Sequence, residues 1–190
     1  MHLSPLDEYP IHQTPAPVTW PATSDRNFYD RSYFNVLDRQ GRFMALTGIG
    51  YYPRLGVKDA YFVVRRSDTQ TAVHLSDAID DDRLRPNVGG YRLEVIEPLQ
   101  ELRLTLERTE GIAADLTWRG LFPAAMEEPH AMLTDRRVTL QASRFAQVGT
   151  WEGWIEVDDE RLEVTRSSSI AARDRSWGIR PVGEAEPPGR

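Results

Sequence analysis

Arg173-Asp174-Arg175-Ser176-Trp177-Gly178-Ile179-Arg180 gathers a carboxylate, flanking guanidinium groups, a hydroxyl and an indole into one short stretch, the one dense collection of chemically capable side chains in the sequence. In an extended strand Asp174, Ser176 and Gly178 share one face, and Arg173, Arg175, Trp177 and Ile179 share the other. A carboxylate held by arginines stays ionised, whereas one in an apolar pocket holds a proton and can deliver it as an acid. A purely structural role fits the same residues: an Asp–Arg pair closing the end of a barrel, with Trp177 filling the core.

Two aromatic features are further candidates for ligand contact. Trp154 falls on the side of its strand shared with Glu152 and Glu156, where an indole serves a ligand, a partner domain or a neighbouring strand. Tyr51, Tyr52 and Pro53 cluster at a strand end beside Gly50. Tyr51, Tyr52, Trp154, Arg173 and Arg175 are therefore the candidate ligand-binding residues, with Asp174 and Trp177 the candidates for chemistry.

Other chemistries find little support. The four histidines, His2, His12, His74 and His130, have no metal-ligand spacing, and Asp80-Asp81-Asp82 lacks the glycine and terminal glutamate of a calcium loop, so no metal site is expected. Gly48-Ile49-Gly50 lacks the third glycine and following helix of a nucleotide loop and reads as a bulge or a close approach within a strand. Ser167-Ser168-Ser169 reads as a loop, and no nucleophile elbow is present. Lys58 is the only lysine, so any Schiff-base chemistry falls to it; an arginine bias in the composition explains its isolation equally well. No cysteine is present, which excludes disulfides and thiolate chemistry. No cofactor is implied.

The elements that position these residues are strands. Residues 1–27 carry Pro5, Pro10, Pro15, Pro17 and Pro21 and read as an extended arm laid along the body through Tyr9, Ile11 and Trp20. From Phe28 the pattern turns to β. Runs around Tyr33–Leu37 and Phe43–Tyr51 flank a turn ending in Gly41. Leu102, Leu104 and Leu106 alternate with Arg103 and Thr105, and Ala114, Leu116 and Trp118 alternate with Asp115, Thr117 and Arg119 across the Glu110-Gly111 turn. Residues 120–135 break the pattern and read as a longer loop with a short helical turn. Further strands are expected through Val138–Ala142, Trp151–Val157, Leu162–Val164 and Ala171–Arg180. Roughly ten short strands with no sustained helical period predict an all-β, antiparallel barrel or sandwich, built as a meander of hairpins.

The 190 residues carry a formal net charge of −6, with 40% hydrophobic residues. That supplies a core, and the acidic balance argues against a nucleic-acid binder, which needs a basic face. No apolar run is long enough to span a membrane as a helix. The N-terminus lacks a basic start and an apolar stretch, so a secretory signal is not supported and a cytoplasmic location is expected.

The run from Arg173 to Arg180, with Pro181, resembles the Arg-Asp-Arg-Ser-Trp-Gly-x-Arg-Pro signature of uncharacterised bacterial proteins in the hydroxyneurosporene synthase-like superfamily, which includes carotenoid 1,2-hydratase. Phe34-Asn35-Val36 with Asp38, Gly41 and Arg42, then Leu46 to Pro53, Asp59-Ala60-Tyr61 and Arg144-Phe145-Ala146-Gln147 are similar to the same group, so the resemblance runs from about residue 28 to the C-terminus. It implies a lipocalin-like barrel over residues 28–181, a linker over 182–190 and a second barrel beyond it, making this chain the first half of a longer protein or a single-domain form. It also implies acid-catalysed chemistry on a lipid or terpenoid, with Asp174 as the acid and Trp177 as a ring that stabilises a cation. The His-x-Trp element of a hydratase site is missing from this sequence. A barrel that binds a small apolar molecule without catalysis, and a structural domain that docks a second barrel, are the alternative readings.

Overall fold

The computed structural model describes residues 3–180. Thirteen strands form one antiparallel sheet: β1 (Phe28–Asp38), β2 (Phe43–Tyr52), β3 (Val57–Arg66), β4 (Thr69–Ala78), β5 (Asn87–Val88), β6 (Tyr91–Glu97), β7 (Glu101–Thr109), β8 (Ile112–Gly120), β9 (Ala125–Met126), β10 (His130–Thr134), β11 (Arg137–Val157), β12 (Glu160–Val164) and β13 (Ser169–Ile179). Ten of them follow the order β4-β3-β2-β1-β13-β11-β8-β7-β6-β5, and the sheet curls into a nearly closed barrel. The expected meander is therefore present, with β13 inserted between β1 and β11. Among the described residues no helix is long and apolar enough to cross a membrane.

Turn chemistry sets the hairpins. Glu110 and Gly111 at φ 47° and 85°, and Asp158 and Asp159 at φ 50° and 66°, place two consecutive residues in the left-handed region, the twist that suits a two-residue hairpin loop. The stretch expected as a loop with a helical turn instead forms β9 and β10, both paired with β11. These strands are short and exposed, so they bury no alternating face and leave no period to read. Strand β11 runs for 21 residues and pairs with β9, β10 and β13 along its first part and with β8 and β12 along its last.

The core fills the barrel interior as one cluster. Phe34, Trp118 and Trp151 pack edge to face, with centroids 5.4–6.3 Å apart, and Trp151 donates its indole N–H to the Asn35 carbonyl at 3.0 Å. Leu104, Leu116, Ile155, Phe62 and Val64 surround them. Gly149 is required here, because a Cβ on it would lie 2.4 Å from the Trp118 ring.

The barrel's seam lies between β4 and β5, which are joined by residues 79–86 and share no hydrogen-bonded ladder. The lysine singled out in the sequence, Lys58, closes it. Its ammonium is buried inside the wall, bonded to the Asp80 carboxylate and, at 3.2 Å, to the Asn87 side-chain carbonyl. The acidic turn Asp80-Asp81-Asp82 is thus a partner for this cation.

Candidate functional site

The open end of the barrel holds the cavity, about 350 Å³ in volume. Its inner wall comes from the inward faces of β1, β2, β6, β7 and β13, with Ile49, Leu93 and Leu102 on the apolar side and Asp30, Arg173 and Arg175 on the polar side. Its outer cover is the N-terminal arm, through Leu6, Val18, Thr19 and Pro21. The arm is shaped by Asp7, whose carboxylate accepts from the Ser4 and Val18 backbone N–H groups at 2.6 and 2.8 Å and contacts His12 at 2.8 Å. Those backbone donors hold the Asp7 carboxyl below its ordinary range. Arg54 ties the arm to the β2–β3 turn by donating to the carbonyls of Thr23 and Pro21 at 2.8 and 3.2 Å, with its guanidinium over the Trp20 ring.

Arg173 is the central polar group. It is 6% exposed and crosses the Trp118 and Phe145 rings at 5.5 and 5.4 Å. Its Nε donates to Gln147 Oε1 at 2.8 Å, and the Gln147 amide is itself locked by donating to the carbonyls of Leu99 and Phe122 at 2.9 and 2.8 Å. Its Nη2 is buried with no hydrogen-bond partner. Burial, with Arg175 nearby, lowers the Arg173 guanidinium to about 10, which leaves it charged at neutral pH. Arg175 donates from Nη2 to both oxygens of Asp30, at 2.8 and 2.9 Å. Tyr51 lines the same space, its hydroxyl pushed up to about 12 by burial; the Asn87 backbone lies near that hydroxyl without reaching good hydrogen-bond geometry.

Of the residues singled out in the sequence, Tyr51, Arg173 and Arg175 thus meet in one cavity. Tyr52 and Trp154 do not join them. Tyr52 stands on the outside of β2 with its hydroxyl 3.5 Å from Asp59, and the Trp154 ring stacks under Arg161 on the outside of β11. Asp174 and Trp177 lie on opposite faces of β13, as strand alternation requires, and the sheet separates Asp174 from the cavity. Asp174 and Trp177 therefore do not face one point across β13. Trp177 shares the face of Arg173 and Arg175, opposite Asp30 on β1, but does not line the cavity.

Asp174 belongs to a band of polar and aromatic side chains on the outer surface. Across the strands it lies opposite Tyr33, which lies opposite Gly48, which lies opposite Tyr61. Gly48 is a close approach and not a bulge: the β1–β2–β3 register runs through it unbroken, and a Cβ there would meet the Tyr61 ring at 2.9 Å. Half-burial raises the Asp174 carboxyl above its ordinary range, against the pull of Arg144 and Arg31, and burial raises Asp59 likewise.

Sequence reasoning missed Asp30, Thr19 and Gln147. Asp30 and Arg175 are 145 residues apart, and only the β1–β13 register brings them together.

The fold has solved counterparts. The crystal structure of CghA with Sch210972 superposes with a TM-score of 0.53 at 16% identity, over 80% of this chain and 46% of that one. A structure of CghA alone gives 0.54 at 16% identity with the same coverage. Kievitone hydratase from Nectria haematococca gives 0.57 at 13% identity, over 79% of this chain and 47% of that one. The chain thus spans about half the length of these proteins, and at such identities the likeness is one of barrel fold. No curated protein matches the sequence. With residues 3–189 matched by one family model, the chain belongs to a family of unknown function, DUF8625.

Proposed function

We propose that this chain is a small-molecule-binding barrel domain of hydratase-like fold, taking a mainly apolar ligand in the cavity beneath the N-terminal arm. The observation that carries this reading is the cavity itself. About 350 Å³ is bounded by Ile49, Leu93 and Leu102 on one side and by Asp30, Arg173 and Arg175 on the other, within the roughly 300–1,000 Å³ typical of small-ligand sites. The test uses N-phenyl-1-naphthylamine, an uncharged apolar fluorophore. Saturable enhancement that is lost in Leu102→Trp, with the β-sheet circular dichroism retained, supports the reading. Enhancement that is absent or linear with concentration refutes it.

A second reading makes the chain one half of a two-barrel enzyme of lipid or terpenoid substrates, with Asp174 supplying the proton from its outer band. Two observations favour it: the chain covers about half of its structural counterparts, and Leu121, Phe122, Met126, Met132 and Leu133 are exposed together around β9 and β10. Hydrogen exchange in a longer polypeptide containing this chain tests it. Slow exchange at residues 121–133 relative to this chain alone supports a docked second barrel, and equal exchange argues against one.

A further inference from the structure

The wall of the cavity carries more positive charge than it neutralises. Among the described residues, Asp30 is the only acidic one lining it, against Arg31, Arg83, Arg173 and Arg175. Both Asp30 oxygens are taken by Arg175. Arg173, deeper in the barrel, makes no ion pair among the described residues, and its Nη2 has no partner although it is buried. A buried guanidinium without a counter-charge is costly to keep, and an orphaned N–H adds to that cost. Its ring contacts with Trp118 and Phe145 would be kept by an apolar chain of the same length, and the bond to Gln147 needs one N–H donor but no charge. The geometry is also prearranged. Gln147, pinned by two backbone carbonyls, holds Nε and so fixes the plane of the guanidinium. A fixed, desolvated guanidinium edge is the arrangement that recognises a carboxylate strongly.

We propose that the ligand of this cavity is an amphipathic carboxylic acid, its carboxylate on Arg173 Nη2 and its hydrocarbon portion against Ile49, Leu93 and Leu102. Thr19, whose buried hydroxyl also lacks a partner, and Tyr51 offer further donors from the arm and from β2. The inference rests on reading the cavity as a ligand site and adds the chemical class of the ligand.

The test compares dodecanoate with dodecan-1-ol, below their aggregation limits, in displacing N-phenyl-1-naphthylamine from the unmodified chain. The acid is expected to bind roughly tenfold to a hundredfold more tightly than the alcohol, the range supported by a charge-assisted hydrogen bond. Arg173→Met is expected to erase that preference. Equal affinity of acid and alcohol for the unmodified chain overturns the assignment of a carboxylate and leaves the apolar site standing. Failure of the fluorophore and of both chains to bind overturns the site itself. The acid–alcohol comparison on the unmodified chain decides the matter even where Arg173→Met does not fold.

Discussion

Asp30 on β1 accepts two hydrogen bonds from Arg175 Nη2 on β13, at 2.8 and 2.9 Å. This pair spans the two strands whose pairing inserts the C-terminal strand into the barrel. It also engages the one carboxylate that lines the cavity among the described residues, so none is left to pair with the nearby Arg173.

Asp30→Asn therefore has two opposed effects. Both partners are more than a third exposed at the side chain, so the stability lost is about 0.5–1 kcal/mol, as for a screened pair. The same substitution frees Arg175 and is expected to tighten dodecanoate binding severalfold. Thermal denaturation and the displacement titration check the two halves separately; weaker acid binding would contradict the charge argument.

Arg54→Ala removes the tether between the β2–β3 turn and the arm, including the cation stacked on Trp20. The arm supplies the cavity cover, so a bound fluorophore should leave several times faster in stopped-flow displacement. Hydrogen exchange should rise over residues 3–24 and stay unchanged at Leu104 and Ile155. A uniform rise over the whole chain would mean that Arg54 supports the barrel instead.

Lys58→Met tests the seam. Lys58 is buried, and Asp80 would lose its counter-charge while remaining partly exposed to water. The expected loss is about 1–3 kcal/mol, or roughly 2–4 °C in Tm per kcal/mol for a chain of this size. The loss should be accompanied by faster exchange over residues 79–88, the segment that Lys58 holds against the wall.

The acid limb of stability has an identifiable source. The Arg42 side chain and the Gln40 and Arg42 backbone hold the Asp38 carboxyl down to about 2. The folded chain thus binds this proton less readily than the unfolded chain, whose ordinary value is 3.8. The contribution is complete above pH 4 and is lost as pH falls from about 4 to about 2. Asp59 and Asp174 act in the opposite sense. Their folded values are raised, so their cost at neutral pH is relieved as pH falls through those raised values. Denaturant titrations from pH 7 to pH 2 on the parent and on Asp38→Asn should diverge at neutral pH and converge at the acid end.

Much of the wall was legible in the sequence. Leu102, Leu104 and Leu106 alternate cleanly because β7 buries one face and wets the other. The same rule separates Asp174 from Arg173 and Arg175 in the sequence itself. The cavity was only half legible. Tyr51, Arg173 and Arg175 stood out by type, but Asp30 and Gln147 are ordinary polar residues whose roles come from register across distant strands. Lys58 was visible as a solitary lysine, yet its burial and its partner Asp80 depend on how the ends of the sheet meet. Tyr52 and Trp154 stand on outward faces of their strands, Trp154 on the side shared with Glu152 and Glu156 that its alternation gives.

The place of β13 bears on how the chain folds. Most ladders in the ten-strand path join sequence neighbours, so they need only short loops to close. The β1–β13 ladder joins Phe28 to Ile179 and cannot begin before β13 exists. Closing so long a segment is entropically slow. During synthesis on the ribosome the earlier hairpins form with two sheet edges, β1 and β11, left unpaired. The segment that supplies the buried cation is thus also the one that ends this interval of vulnerability to aggregation, so substitutions in β13 should reduce soluble yield more than equally destabilising ones in β7.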